Sequence, residues 1–410
     1  MLDIKLIRDQ VDIVKNGVAA KGYKPELVDE VKTLDENRRK ILIQVEALRG
    51  KRNNFTKDQV EEAKKLKTDL KTLEEDLEKI SLELDQKLSV LPNLPSADTP
   101  AGKSEAENVE IRKWGIPRQF DFTPKDHLRL GTDLQILDFD SGSKVTGSQF
   151  YYLYDEATLL ELALTQFTLN FLKKEGFIPV ITPDMAKSRY YLGTGYAPKG
   201  DEAQTYTIEG QDLGLIATAE VTLAGKHADE TIPESQLPIK YVGYSHCFRQ
   251  EAGAYGKYSK GLYRVHQFSK TEMFIYCLPE DSDKYHQEIL ALEEKIFQAL
   301  NLPYRVLQMC SGDLGAMAAK KYDIEVWMPG RNDYGEVTST SNCTDYQARN
   351  LNIRYKKTSG ETGYIHMLNG TAVVMSRVPL AILENYQNAD GSITIPEVLR
   401  PYIGFDRIAK

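Results

Sequence analysis

Apolar residues recur at more than one period along the chain, and the change of period divides it. Leu27, Leu34, Ile41, Leu48 and Phe55 return every seven residues, with Val31 and Val45 four residues after the first and third of them. Beyond a polar break near Asn53 to Lys57, the positions Ala63, Leu66, Leu70, Leu73, Leu77, Ile80 and Leu84 alternate steps of three and four. A period of about 3.5 residues keeps one seam turned toward a partner helix. Two such segments around a break predict an antiparallel helical hairpin, a two-stranded coiled coil. Ahead of it, Ile4, Ile7, Val11 and Val14 have helical spacing, which predicts a short amphipathic helix over residues 3–21, before the turn at Gly22 and Pro25.

The run from Leu91 to Asn108 is Pro- and Ser-rich and aperiodic, so it reads as a linker. That predicts an N-terminal helical arm over 1–98 and a second domain over 108–410. The second domain is mixed. A long helix is expected from Leu153 to Lys174, then a strand from Gly176 to Ala186 whose Pro179 suits an edge or an interface. Leu215 to Leu223 reads as a strand or turn, 285–300 as an amphipathic helix, and 309–330 as helix and strand. Residues 366–387 read as a strand giving way, at Arg377, to a helix. The fold class is therefore α+β.

A net charge of −8 over 410 residues gives no overall attraction for nucleic acid, so any RNA contact must come from local basic patches. Arg49, Lys51, Arg52 and Lys57 form such a patch at the predicted hairpin tip, either as a solvated end or as a phosphate contact. Cys247, Cys277, Cys310 and Cys343 lack metal-ligand spacing and read as small hydrophobes in a reducing compartment. The first residues carry Asp3, Asp9 and Asp12, which fits neither a signal nor a transit peptide, and no apolar run approaches the roughly 20 residues of a membrane span. A cytoplasmic protein is expected.

The densest chemistry lies between Tyr241 and Tyr276. Two β-prone runs flank a glycine-containing middle, which predicts a hairpin with a long loop. Alternation puts Arg264, His266, Phe268, Lys270 and Glu272 on one face, with Arg249 and Glu251 sharing a face on the other strand. Burying such a row unpaired would cost several kcal/mol per charge, about the usual penalty. It is either a solvated edge or the lining of a polar cleft suited to a nucleotide: arginine forks for phosphate, a ring for a base, carboxylates for amino groups. Arg377 similarly reads as a paired core arginine or an active-site one.

The wording FRQEAG…GLYRVHQFSKTE resembles motif 2 of class II aminoacyl-tRNA synthetases, in its seryl-tRNA synthetase form. GFIPVITPDMA resembles motif 1, the family's dimer interface, and HMLNGTAVVMSRVPLAILENYQ resembles motif 3. The TAE of Thr218, Ala219 and Glu220 matches the family's serine-binding loop, and Glu336, Val337, Thr338 and Ser339 match its EVSS segment. Ala372 and Ser376 stand where many bacterial members have glycine, and the arm is shorter than usual in the family.

The resemblance implies an antiparallel class II sheet flanked by helices, with the coiled-coil arm gripping tRNA(Ser), and tRNA(Sec) where present, through Arg49, Lys51 and Arg52. It implies a homodimer that activates L-serine with ATP to seryl-adenylate and pyrophosphate, then transfers serine to the tRNA 3′ end. Arg249 would contact the α-phosphate, Arg264 and Arg377 the outer phosphates, with Gln250 in the same ATP site. Glu251 would read the adenine amino group and Phe268 stack on its ring. Glu336 and Ser339 would hold Mg2+. Thr218, Ala219, Glu220 and Glu272 would surround the serine amino group, with Asn369 and Thr371 near its hydroxyl. A synthetase-like paralogue loading a carrier protein has less use for the arm, and a non-catalytic binding protein would be expected to lack Arg249, Arg377 or Glu336.

Overall fold

The structure, a computed structural model, describes residues 1–52, 59–196, 205–251 and 260–410. The chain divides into two compact units, Met1–Pro95 and Ser96–Lys410.

In the first unit, the helix expected over 3–21 is split at Gln10 into α1, Ile4–Asp9, and α2, Val11–Ala20. Of the expected row Ile7 and Val14 are buried and Ile4 and Val11 half-buried, and Val18 extends it. The hairpin follows as α3, Glu26–Arg52, and α4, Val60–Val90. Its seam is deepest at Val31 and Val45, facing an apolar row that includes Leu66, Leu70 and Leu84, while Leu27, Leu34, Ile41 and Leu48 are half-buried. Phe55 and Lys57 lie outside the described residues.

Helix α3 also carries a buried charge that the apolar period does not reveal. Asp35 is buried, and its two oxygens accept from Arg8 Nε at 2.6 Å and Arg8 Nη2 at 2.7 Å, with Arg38 Nη2 at 3.4 Å. Burial alone would raise this carboxyl, but the two guanidiniums hold it below the usual carboxylate range. The pair fixes α1 against α3 by a fork that fits in one orientation.

In the second unit, the expected linker is irregular but not free. Ser96 N–H donates to Ala319 O at 2.8 Å, Ser311 N–H to Pro100 O at 2.8 Å and Gly312 N–H to Gly102 O at 2.9 Å. The large sheet has eight strands, numbered here in chain order: β1 Val109–Trp114, β2 Ile178–Ile181, β3 Ile239–Phe248, β4 Gln267–Cys277, β5 Tyr304–Gln308, β6 Lys320–Met328, β7 Asp333–Asn342 and β8 His366–Val374. Their order is β1-β5-β6-β7-β8-β4-β3-β2, antiparallel except for the β2–β3 pair at one edge.

The helices that bear on the site are α5 His127–Leu134, α6 Asp155–Lys174, α7 Glu220–Gly225, α8 Ser282–Ala299, α9 Tyr346–Leu351 and α10 Arg377–Asn385. Helix α8 lies so close to β8 that a Cβ on Gly370 would sit 2.3 Å from Ile289 Cγ2, so glycine is required there. Two readings of the sequence need correction. Of the 215–223 stretch only Leu215 lies in a strand, Gly214–Leu215, and from Glu220 it is helical, because Val221, Leu223 and Ala224 bury themselves on one side. No α-helix forms over 309–319, where Gly312 and the left-handed Gly315 leave a single 3-10 turn, Ser311–Asp313, ahead of β6.

Removing one partner of a buried ion pair leaves the other unanswered. Asp35→Ala should therefore cost the N-terminal unit about 2–3 kcal/mol, below the fully buried figure because both arginines are partly solvated. Since the folded carboxyl is depressed, that contribution is present at neutral pH and fades as pH falls through its folded value. Hydrogen exchange across α1 and α3 at pH 7 and about pH 3, below the usual carboxylate value, measures both effects, with a smaller wild-type advantage expected at the lower pH.

Candidate active site

Strands β4, β7 and β8 form the floor of a cleft of about 380 Å³, within the range of small-molecule sites. Its lining is mostly polar and charged, and the charges fall into two groups. Arg249, Arg264, Lys321 and Arg377 stand with Glu251, Asp313 and Glu336, while Glu220 and Glu272 stand with Lys270, Asn369 and Thr371.

The hairpin supplies the first arginines. Arg249 follows the end of β3, where its N–H donates to His266 O at 3.0 Å, and its guanidinium lies 5.3 Å from the Phe268 ring centre. Glu251 adopts φ +51° and accepts from Arg264 Nη1, so these two enter the cleft as a pair. On β4, Lys270 and Glu272 are 2.5 Å apart and both buried. Thr371 Oγ1 on β8 donates to Glu272 Oε2 at 3.1 Å. The charges of the row are thus paired, Lys270 with Glu272 in the interior and Arg264 with Glu251 at partial exposure.

Glu220 begins α7 and is buried against three donors. Oε1 accepts from Gln347 Nε2 at 2.7 Å and Asn369 Nδ2 at 2.9 Å, and Oε2 accepts from Tyr196 Oη at 3.1 Å. Burial, with the nearby charge of Glu272, pushes its pKa up to about 7 against the donors that lower it.

Two β-bulges decide what the floor presents. Between β6 and β7 the register shifts so that Val337 is the extra residue, and between β8 and β4 the extra residue is Ala372. Strict alternation would put Glu336 and Ser339, three apart, on opposite faces, yet both line the cleft. Val337 and Thr338 also edge it, but the Val337 side chain joins the core and Thr338 Oγ1 donates to the buried Glu293 at 3.3 Å. Ala372 packs into the core too, so its replacement of a glycine leaves the cleft unobstructed, while Ser376 does line it. Arg377 opens α10, with Nε donating to Tyr263 O at 3.1 Å and Nη1 lying 3.2 Å from Glu336 Oε1. Burial works against the Glu336 charge, but Arg377, Lys321 and Arg249 hold its carboxyl below the usual range. A carboxylate kept ionised beside a hydroxyl is a donor set that fits Mg2+, which needs one or two protein ligands alongside phosphate oxygens.

Some expected residues lie outside the lining. Gln250 is exposed and donates to Thr205 O at 3.0 Å. Thr218 and Ala219 are buried behind the wall, where Thr218 Oγ1 accepts from Glu220 N–H at 3.2 Å and shapes the turn that presents Glu220. His266 leaves the predicted face to stack on Phe150 and meet Tyr206 Oη at 3.0 Å, while Val265 lines the cleft. At the arm, Arg49 Nη2 donates to Glu74 at 2.7 Å, Lys51 is exposed, and the Arg52 side chain lies outside the described residues, as does the loop over 252–259. Tyr196, Tyr263 and Lys321 also line the cleft and Gln347 holds Glu220, and none of them carries a spacing signal in the sequence.

Two domain families match the chain: the seryl-tRNA synthetase N-terminal domain over residues 1–95, and the class II tRNA synthetase core domain (G, H, P, S and T) over 205–386. The serine–tRNA ligase of Dictyoglomus turgidum is 54% identical over 421 aligned positions, covering 100% of this chain and 99% of that protein. This chain belongs to the seryl-tRNA synthetase family. The serine–tRNA ligase of Treponema denticola is 48% identical with full coverage of both. Among solved structures, the seryl-tRNA synthetase of Pyrococcus horikoshii complexed with ATP aligns with a TM-score of 0.94 at 41% identity, covering 100% of this chain and 99% of that one.

The raised Glu220 has a thermodynamic signature. Unfolding returns its carboxyl to about 4.5, so the native state holds a proton that the unfolded state releases, and stability falls as pH rises from about 4.5 to 7. Glu220→Gln should remove about 2–4 kcal/mol of that pH-dependent loss. Urea unfolding of the serine-free protein at pH 5, 6, 7 and 8 should show the variant gaining on wild type up to pH 7 and level beyond it.

Proposed function

We propose that the cleft activates L-serine with ATP and that the chain then transfers serine to the 3′ end of tRNA(Ser). The carrying observation is the division of charge: arginines at one end for a triphosphate, and a carboxylate pair at the other for an ammonium group. A serine carboxylate oxygen attacks the α-phosphorus, the bond from that phosphorus to the bridging oxygen breaks, and pyrophosphate leaves with the electron pair. Arg249 meets the charge that builds on the α-phosphate, and Arg264 and Arg377 hold the outer phosphates.

ATP binding in this arrangement redirects existing pairs. Arg264 and Arg377 exchange their carboxylate partners for phosphate oxygens, freeing Glu251 for the adenine amino group beside Phe268. Glu336 and Ser339 are placed to hold Mg2+, which would neutralise charge on the phosphates. Glu220 and Glu272 take the serine ammonium, with Asn369 and Thr371 within reach of its hydroxyl. In the second step a ribose hydroxyl of the terminal tRNA nucleotide attacks the acyl carbon and AMP departs, so no side chain serves as a covalent nucleophile.

The proposed assembly is a homodimer through β2, an edge strand that leaves Ile178 and Ile181 exposed around Pro179. The proposed setting is the cytoplasm, consistent with four buried cysteines without disulfides. Among the described residues no helix is long and apolar enough to cross a membrane.

Serine-dependent ATP–pyrophosphate exchange followed by transfer to tRNA tests the whole reading, and neither step with serine would overturn it. Within it, Arg249→Ala should lower exchange roughly 10²- to 10³-fold, the scale of losing one preorganised charge-stabilising donor. A loss under tenfold would remove Arg249 from that role.

The arm is proposed to bind the RNA. The apolar cluster of Ile7, Val14, Val18, Val28, Val31, Leu84, Leu88 and Leu91 unites the base of the hairpin with α1 and α2, so a clean excision must leave that base intact. Replacing residues 41–77 by a short turn should spare adenylate formation and abolish efficient tRNA charging. Arg49→Ala with Lys51→Ala should reduce the slope of log affinity against log salt by up to about 0.7–0.9 per lost phosphate contact. Unchanged slopes would show that these residues do not meet RNA.

A further inference from the structure

Beneath the cleft lies a buried ionisable pair that the proposed chemistry does not touch. His127 is the first residue of α5 and its ring has no exposed surface, while Glu384 near the end of α10 is 1% exposed. Glu384 Oε1 accepts from the His127 main-chain N–H at 3.0 Å and stands 2.8 Å from Nδ1. Its Oε2 accepts from Gly330 N–H at 2.8 Å, in the turn between β6 and β7. The far ring nitrogen, Nε2, lies 3.2 Å from Leu262 N–H.

These contacts fix the tautomer. A main-chain N–H can only donate, so Nε2 accepts from Leu262, and the ring proton sits on Nδ1 facing the carboxylate. Every strong site on both side chains that faces a main-chain group is then answered. The approach of the chain to the ring is close: Gly261 adopts φ +56°, and a Cβ there would sit 2.3 Å from Nε2. Glycine is thus demanded both by backbone conformation and by the imidazole.

What the pair holds is the turn Gly261–Tyr263, and this turn reaches the cleft. The Tyr263 carbonyl accepts from Arg377 Nε at 3.1 Å, and its ring lies 4.7 Å from the Arg377 guanidinium and 5.1 Å from that of Arg331. Arg264 is the next residue. Arg377 and Glu384 are seven residues apart on α10, close to two turns, so one helix face carries both the cleft arginine and the anchoring carboxylate. An apolar pair could fill the same space at a lower desolvation cost, but it would leave Leu262 N–H and Gly330 N–H without acceptors.

We infer that His127 and Glu384 are positioning residues for ATP use: they lock the 261–263 turn, and through Tyr263 they aim Arg377 and Arg264 at the outer phosphates. The inference rests on the phosphate role proposed above for these arginines. A misplacement of about 1 Å is enough to cost up to 10²-fold in rate.

The two ring nitrogens can be tested apart. His127→Asn keeps an amide donor near the Nδ1 position for Glu384 and loses the acceptor for Leu262. His127→Gln places a carbonyl near Nε2 and keeps it. In serine-dependent pyrophosphate exchange, His127→Asn and Glu384→Gln should lower kcat/KM for ATP about 10- to 100-fold with KM for serine within about threefold. His127→Gln should recover most of that loss. A merely structural pair would instead depress both substrates equally, or reduce the active fraction, with Gln no better than Asn. That result, or unchanged ATP parameters in folded variants, overturns the inference; if the histidine variants do not fold, Glu384→Gln decides it alone. Calorimetric titration with ATP and Mg2+ separates the inference from the reading beneath it. Wild type lacking serine-dependent exchange sinks the functional reading, whereas ATP binding unaltered by Glu384→Gln sinks the positioning role.

Discussion

Charge buried in a protein interior has to be answered within a few ångströms, and the catalytic unit is arranged around that requirement. Lys270 answers Glu272, Arg264 answers Glu251 and Arg377 answers Glu336. Lys270 and Glu272 share one face of β4, Arg264 and Glu251 stand just outside β4 and β3 beside the hairpin loop, and Arg377 opens α10 while Glu336 lies on β7. Satisfying the charges therefore ties α10 to β7 through Arg377 and Glu336, and β8 to β4 through the Thr371 hydroxyl on Glu272. Unpaired, the buried Lys270 or Glu272 would cost several kcal/mol, about as much as a domain has to spare, and the partly exposed groups less.

The same pairs make the cleft convertible. Apart from Lys270 and Glu272, they sit where a polyanion could replace the carboxylate, so the ligand-free protein stores its cations in a neutralised form. In the proposed reaction, exchange of a carboxylate for a phosphate would leave the arginine desolvated to a similar degree, which would keep the cost of binding low. The acidic end works by the opposite logic. Glu220 is surrounded by neutral donors, and its burial favours the protonated form until a cation arrives.

The arm meets the requirement differently. Asp35 lies at a buried position of α3 and takes both a fork from Arg8 and a weaker bond from Arg38. An apolar contact between α1 and α3 alone is tolerant of sliding, whereas a buried fork fits one orientation. Arg49, bonded to Glu74 across the hairpin, is exposed enough that a stronger anion could compete for it.

The sequence by itself determined the elements whose signal is local. The 3.5-residue period gave the hairpin of α3 and α4, the β-prone runs gave β3 and β4, and Arg377 at the change from apolar strand to helix gave the start of α10. Motif wording placed most of the cleft residues, because Arg249, Glu251, Arg264, Phe268, Glu272, Glu336 and Arg377 do come together. What only the tertiary structure decided is which neighbours share a face. The bulges at Val337 and Ala372 break the two-residue alternation, so Glu336 and Ser339 align and Ala372 turns into the core. Tyr196, Gln347 and Tyr263 reach the site from segments with no periodic signal, and His127 reaches Leu262 across 135 residues of chain. A bulge and a long-range hydrogen bond depend on where two distant strands meet, and that meeting is fixed by packing and charge pairing across the whole sheet rather than by any residue's own preference.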